Sequence, residues 1–300
     1  MTVTRYEASF FSNGNRLAAE IHRPSVVENP LPAVLIAAPQ AGVKEQTVRI
    51  YAKKIAAKGF VVLTFDHASF GASEGAPRFH ENPYSKAEDC RNGVTYLRSL
   101  TYVNNEQIHG LGVCSGGGYL AHAVATDRRV KSLATVSAYF DHRGFYHNVI
   151  GREGLLDLLL KGNEARERYL ATGQIDFLPH APTEDSEEMP RLFREFYQYY
   201  MTERGAKGLY ESKFLPWSYE TLANFSALDI AANLTPTPLL MIVGTEADSA
   251  YESEQMFDAA SQPKQLIRIE GANHIGLYDE DEYVDQAVEQ IIEFFSSSHH

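Results

Sequence analysis

The sequence predicts an α/β protein: a mostly parallel sheet with helices packed on both faces. Three observations predict it. Short apolar runs, such as AVLIAA at residues 33–38, FVVLTF at 60–65 and PLLMIV at 238–243, read as strands buried on both faces. Segments of helical spacing alternate with them, as parallel strands joined by crossover helices require. The 300 residues, 44% hydrophobic, suffice to bury one large core.

Residues 5–11 and 16–22 flank Asn13-Gly14-Asn15, a turn signal, and read as an opening hairpin. The strand at 33–38 follows. Residues 46–58 have helical spacing and stop at Gly59, as a C-terminal capping glycine dictates. The strand at 60–65 runs into a loop of small residues, Asp66 through Gly75. A helix over 84–100, a strand over 107–113, a helix over 115–126 and a strand over 130–136 continue the alternation. There it breaks. Residues 138–236 carry many Tyr, Phe, Glu and Arg but no clear buried strand, and read as helices over 151–161, 163–172 and 189–204. The pattern resumes with a strand at 238–243, a helix at 252–260, a strand at 265–270 and a helix at 283–296. The expected organisation is a core of residues 1–137 and 237–298, with a helical lid, residues 138–236, inserted between two core strands. The closing Ser-Ser-Ser-His-His reads as a tail.

The formal charge is −12 and no Lys/Arg block stands out, which disfavours nucleic acid as a partner. No apolar stretch reaches the roughly 18 residues a membrane span needs. The first residues lack the apolar run of a secretory signal. Cys90 and Cys114 are too few for a disulfide framework. These features predict a cytoplasmic protein. No metal-ligand spacing and no cofactor fingerprint is present, so neither is expected.

The chemistry concentrates at Gly112-Val113-Cys114-Ser115-Gly116, between a predicted strand and a predicted helix. A nucleophile placed at such a junction takes a strained backbone conformation, and side chains two residues either side would strike the helix. Counting from Cys114 gives Gly112 and Gly116. Counting from Ser115 gives Val113, which is bulky. The spacing therefore selects Cys114 as nucleophile. The Ser115 N–H, at the helix start, is one oxyanion donor, and the positive helix end is expected to favour a thiolate. A phosphate-binding loop does not fit, because no Lys-Ser/Thr follows the glycines.

The partners of such a nucleophile follow in the order acid, then histidine. His274, in Gly271-Ala272-Asn273-His274 after the strand at 265–270, is placed to act as general base. His67, His80, His122, His142, His147 and His180 have no such position. Asp248, directly after the strand at 238–243, is the first choice of acid; Glu246 and Asp141 compete with it. The second oxyanion donor is expected in the loop Pro39-Gln40-Ala41-Gly42, from the N–H of Gln40 or of Ala41.

The run from Gly112 to Tyr119 resembles the nucleophile turn of α/β-hydrolases related to dienelactone hydrolase. It is most similar to a cysteine-dependent group that includes fungal polyketide transferases and thiohydrolases. Gly42-Val43-Lys44-Glu45-Gln46-Thr47, Phe65-Asp66 through Gly75, and Asp127-Arg128-Arg129-Val130-Lys131 carry the same resemblance. It implies the α/β-hydrolase fold, a Cys114-Asp248-His274 triad, and acyl transfer from an ester, lactone or thioester. One departure is the loop at Pro39, where relatives often have a richer glycine run.

Two enzymatic readings follow, with a small-molecule acyl substrate: hydrolysis through an acyl-enzyme, or transfer of the acyl group to another acceptor. A binding protein on a hydrolase scaffold is the third reading. A second copy of the chain is the one protein partner the sequence admits. The aromatics Phe145, Tyr146, Phe193, Phe196, Tyr197, Tyr199, Tyr200 and Trp217 either shape an acyl pocket or pack the lid onto the core.

Overall fold

The computed structural model describes residues 1–297. Most of the expected tail, Ser298 to His300, lies outside the described residues. The chain opens with a hairpin, β1 (Val3–Ser12) and β2 (Asn15–Pro24), closed by Asn13 and Gly14 at φ 48° and 80°. The core then alternates: β3 (Leu31–Ala37), α1 (Thr47–Ala56), β4 (Val61–Phe65), α2 (Pro83–Ser99), β5 (Val103–Val113), α3 (Ser115–Val124) and β6 (Ser132–Val136). A helical stretch follows, with α4 (His142–Thr172), α5 (Arg191–Tyr200), the 3-10 turn Pro216–Ser218, α6 (Tyr219–Leu222) and the 3-10 stretch Ala227–Leu234. The chain closes with β7 (Leu239–Gly244), α7 (Ala250–Ala259), β8 (Lys264–Ile269), α8 (Gly276–Asp279) and α9 (Asp281–Ser297).

One sheet holds the strands in the order β1-β2-β4-β3-β5-β6-β7-β8. The hairpin joins antiparallel and the other pairs are parallel. Period-2 alternation divides the strand residues between two cores. Leu35, Leu63 and Leu133 face Cys90, Val94, Leu97 and Leu120 of α2 and α3. Val34, Ile36, Val62 and Val113 face Tyr51 and Ile55 of α1 and Val288, Ile291 and Phe295 of α9. This is the α/β-hydrolase fold that the sequence predicts. No helix among the described residues is long and apolar enough to cross a membrane. Cys90 and Cys114 are both free thiols.

Helices expected over 151–161 and 163–172 are one element, α4, which also reaches back to His142. Its break is at Gly151, at φ 67°. Gly162 continues the helix because α4 packs there against chain at Pro216 and Trp217; a Cβ would stand 3.1 Å from the Pro216 carbonyl oxygen. The short helix α8 is unforeseen, since four residues carry too little periodicity to be seen in sequence.

The crossing of β5 into α3 is tightly packed. A Cβ on Gly116 would lie 2.3 Å from the Ala37 carbonyl oxygen, and one on Gly112 2.4 Å from the Gly117 Cα. Both obstacles are backbone and cannot rotate away. Gly116→Ala is expected to lower stability by about 3 kcal/mol or more, as overpacking against rigid neighbours does. Urea unfolding of the variant beside wild type measures it.

Candidate active site

Cys114 takes φ 53° and ψ −129°, a conformation nearly closed to residues with a side chain. Backbone hydrogen bonds hold it there. Its N–H donates to Val136 at 3.0 Å, and its carbonyl accepts from Gly117 at 2.9 Å and Tyr139 at 3.1 Å. The thiol is buried at the floor of a small cavity. Gln40, Ser115, Tyr139, His142, Phe145, Tyr146, Phe196 and Tyr200 are among its walls.

Burial raises the pKa of this thiol. The Tyr278 and Ser115 hydroxyls and the backbone N–H groups of Ser115 and Gln40 lie near the sulfur and act against burial, without overcoming it. The resting group is therefore a thiol, not the thiolate expected from the helix end alone. The Ser115 and Gln40 N–H groups both lie beside the sulfur. Ala41 is not the donor: its N–H is committed to Glu81 Oε2 at 2.9 Å. Glu81 is buried, and its Oε1 also meets Lys86 Nζ at 2.6 Å and the Tyr119 hydroxyl at 2.7 Å. Farther along the same loop, the Lys44 N–H and Nζ both reach Asp66, each at 2.7 Å. The loop carrying Gln40 is thus tied to the fold by two buried carboxylates.

His274 is fully buried, and burial pulls it down to about 3. Its Nε2 meets the Tyr278 hydroxyl at 3.1 Å and its Nδ1 meets Ser249 Oγ at 2.5 Å. None of the three candidate acids occupies Nδ1. Asp248 is about half exposed and pairs with Arg191 at 3.0 Å; Glu246 faces the same guanidinium at 3.6 Å. Asp141 precedes α4, 3.9 Å from Arg143. The physical reason is local. α7 starts at Ala250, and in the turn before it Ser249 points inward while its neighbour Asp248 points outward to a cation.

Sequence reasoning missed Ser249, Tyr278, Glu195 and His142. Tyr278 lies four residues after His274, so a helix predicted from Gly276 would have placed it near the ring. Glu195 of α5 lies beside the backbone N–H groups of both His274 and Ile275, a link between the helical stretch and the His274 loop. His142 Nε2 lies 2.9 Å from Ser115 Oγ. Of the aromatics, Phe145, Tyr146, Phe196 and Tyr200 line the cavity. Trp217 instead packs with Leu215 and Ala165, and Tyr199 packs edge-on against Tyr278. Among the described residues no cluster of His, Cys, Asp or Glu is arranged to hold a metal ion.

Burial pushes Glu195 up to about 7 from 4.5, with Arg191 only partly offsetting it. Between these values the folded state binds more protons than the unfolded one, so this group's contribution to stability falls as pH rises. Glu195→Gln removes the effect. Its stability relative to wild type is expected to improve by roughly 1–3 kcal/mol between pH 4.5 and 7. Paired urea titrations across that range test the sign.

Residues 13–276 match the family model described as X-Pro dipeptidyl-peptidase (S15 family). The Escherichia coli protein YcjY is 34% identical over 96% of this chain and 97% of its own. The crystal structure of PA2218 from Pseudomonas aeruginosa superposes with a TM-score of 0.91 at 30% identity, covering 99% of this chain and 94% of that one. The polyketide transferase grgF of Penicillium is 26% identical over 72% of each chain. Its crystal structure, titled an alpha/beta hydrolase, aligns with a TM-score of 0.81 at 20% identity over 99% of both chains. On sequence and fold together, this chain belongs to the X-Pro dipeptidyl-peptidase (S15) family, with hydrolases and acyltransferases of the α/β-hydrolase fold as its relatives.

Proposed function

We propose that this protein cleaves or transfers an activated acyl group, from a thioester, lactone or reactive ester, through an acyl-enzyme on Cys114. The observation that carries the reading is the convergence on one strained, cavity-facing sulfur of the Ser115 and Gln40 N–H groups and the Tyr278 hydroxyl. As Cys114 attacks the carbonyl carbon, its proton passes to the Tyr278 hydroxyl, which passes its own to His274 Nε2; collapse of the oxyanion then breaks the bond to the leaving group, which departs with the electron pair and takes that proton back from His274 through Tyr278. Ser249 holds the His274 ring through Nδ1. The two N–H groups stabilise the oxyanion, each at a typical worth of about 3 kcal/mol. A thiolate leaves readily, so the intermediate is itself a thioester, and activated donors suit it better than amides.

The helical stretch serves as the lid, residues 138–236, on a core of residues 1–137 and 237–298. Its aromatics make the inner cavity apolar. Beyond Phe145 lies a wider apolar groove of about 920 Å³, lined by Asn148, Val149, Pro190, Leu192 and Phe193 among others. Phe145 belongs to both spaces, which supports an acyl chain running from Cys114 outward past it. The free thiols suit a reducing, cytoplasmic setting.

The family's name supports a second reading, removal of X-Pro dipeptides. Such a substrate presents a free ammonium group. No carboxylate lines the inner cavity to receive it, and this favours the acyl reading.

The deciding experiment is intact-protein mass measurement after mixing with an acyl thioester, a p-nitrophenyl ester and an X-Pro p-nitroanilide. An adduct on Cys114 from the first two, absent in Cys114→Ala, is expected. Cleavage of the anilide with no adduct from any acyl donor would overturn the proposal. Ser249→Ala is expected to lower kcat/KM about tenfold through loss of ring orientation, whereas Asp248→Asn changes it less than about threefold. Phe145→Ala is expected to raise kcat/KM for octanoyl over acetyl thioesters by about tenfold, within the range a better-filled apolar site gives.

A further inference from the structure

His142 and Ser115 form a pair that the acylation step leaves unused. Ser115 Oγ lies 3.9 Å from Cys114 Sγ and 2.9 Å from His142 Nε2, and both side chains line the cavity. His142 is buried, and its Nδ1 has no hydrogen-bond partner among the described residues. The Tyr119 ring stacks on it with centroids 5.5 Å apart, and the Tyr119 hydroxyl, 3.5 Å from Nε2, is anchored on Glu81. A phenylalanine would fill the same space without burying an unpartnered nitrogen. The imidazole is therefore retained against the interest of packing.

We propose that Ser115 and His142 are the acceptor-side proton station, activating the water or hydroxyl compound that discharges the Cys114 acyl group. This rests on the acyl-enzyme reading above. The oxygen of water attacks the thioester carbonyl carbon, and the carbonyl electron pair moves onto the oxyanion held by the Ser115 and Gln40 N–H groups. The water proton passes to Ser115 Oγ while the Ser115 proton passes to His142 Nε2. Collapse of the intermediate re-forms the carbonyl and breaks the C–S bond. The sulfur leaves with the electron pair and recovers the proton from His142 through Ser115 Oγ. One water is consumed and one carboxylic acid released. An alcohol acceptor follows the same route and yields an ester. Ser115 is the group that touches the acceptor; His142 acts through it.

The division of labour follows from how each imidazole is held. Both nitrogens of His274 are engaged, by Tyr278 and Ser249, and no carboxylate acts on its ring. Burial pulls His142 down to about 4, with Glu81 and Asp141 only partly offsetting it. What sets His142 apart is its place: through Ser115 Oγ it reaches the cavity beside the sulfur, outside the Tyr278–His274 relay.

The test separates the two half-reactions. Wild type, His142→Gln, His142→Phe and Ser115→Ala are mixed with p-nitrophenyl butyrate, and nitrophenol release and butyryl-enzyme mass are followed in time. The two His142 variants are expected to form the Cys114 adduct within about fivefold of the wild-type rate but to discharge it about 100-fold more slowly, the scale of a lost general base, and Ser115→Ala to discharge it as slowly as they do. Hydroxylamine, which attacks thioesters without a base, is expected to discharge all four at similar rates. Equal slowing of both half-reactions, the mark of a packing defect, overturns the proposal, as does discharge at the wild-type rate. If wild type itself forms no Cys114 adduct, the underlying acyl-enzyme reading fails as well.

Discussion

A side-chain-bearing residue held at φ 53° between a strand and a helix is the constraint on which the rest of this structure depends. That conformation is unfavourable by itself, on the order of 1–3 kcal/mol, and survives only where its surroundings leave no alternative. Here β5 and α3 fix the residue from either side, β6 accepts its N–H, and Gly112 and Gly116 let the helix approach within backbone contact. The sulfur is lifted from the sheet edge into the cavity as a consequence. The proposed oxyanion donors flank it: one is the first N–H of α3, the other the Gln40 N–H in the loop after β3.

Buried charge secures the second of these. The loop after β3 runs through Ala41, itself at φ 51°, and would relax if nothing restrained it. Glu81 and Asp66 restrain it from two sides, each paired with a lysine, Lys86 and Lys44. Burying such pairs is expensive, and their return lies in specifying one geometry rather than in net stability. Lys44 and Asp66, one half of this clamp, fall in two of the segments that carry the family resemblance, Gly42 to Thr47 and Phe65 to Gly75.

The alternation of strands and helices was legible because buried apolar runs leave a local mark, and the proposed nucleophile and base were chosen on marks as local: a glycine spacing and a histidine after a strand. The partners of the base were not. Ser249 and Asp248 are neighbours, and which of them turns inward depends on where α7 begins and on Arg191, far away in the chain. Tyr278 and Glu195 reach His274 from a short helix and from the helical stretch, so their roles exist only in three dimensions. His142 was passed over because it follows a strand by six residues and opens a helix that was expected nine residues later. Between Ala41 and Gln40, the sequence had no means to choose, because the choice is made by Glu81.

Glu195 gives the helical stretch a bearing on ancestry as well as on binding. The helix that supplies pocket walls, through Phe196 and Tyr200, also lies beside the backbone of His274. Exchange of this segment between relatives would therefore carry away a support of the base together with the pocket. Substrate range in such a lineage can drift freely by single changes on the cavity face, but wholesale replacement of the segment demands that a carboxylate reappear at the same spot. On the proposed mechanism the helical stretch is part of the catalyst rather than an interchangeable cap.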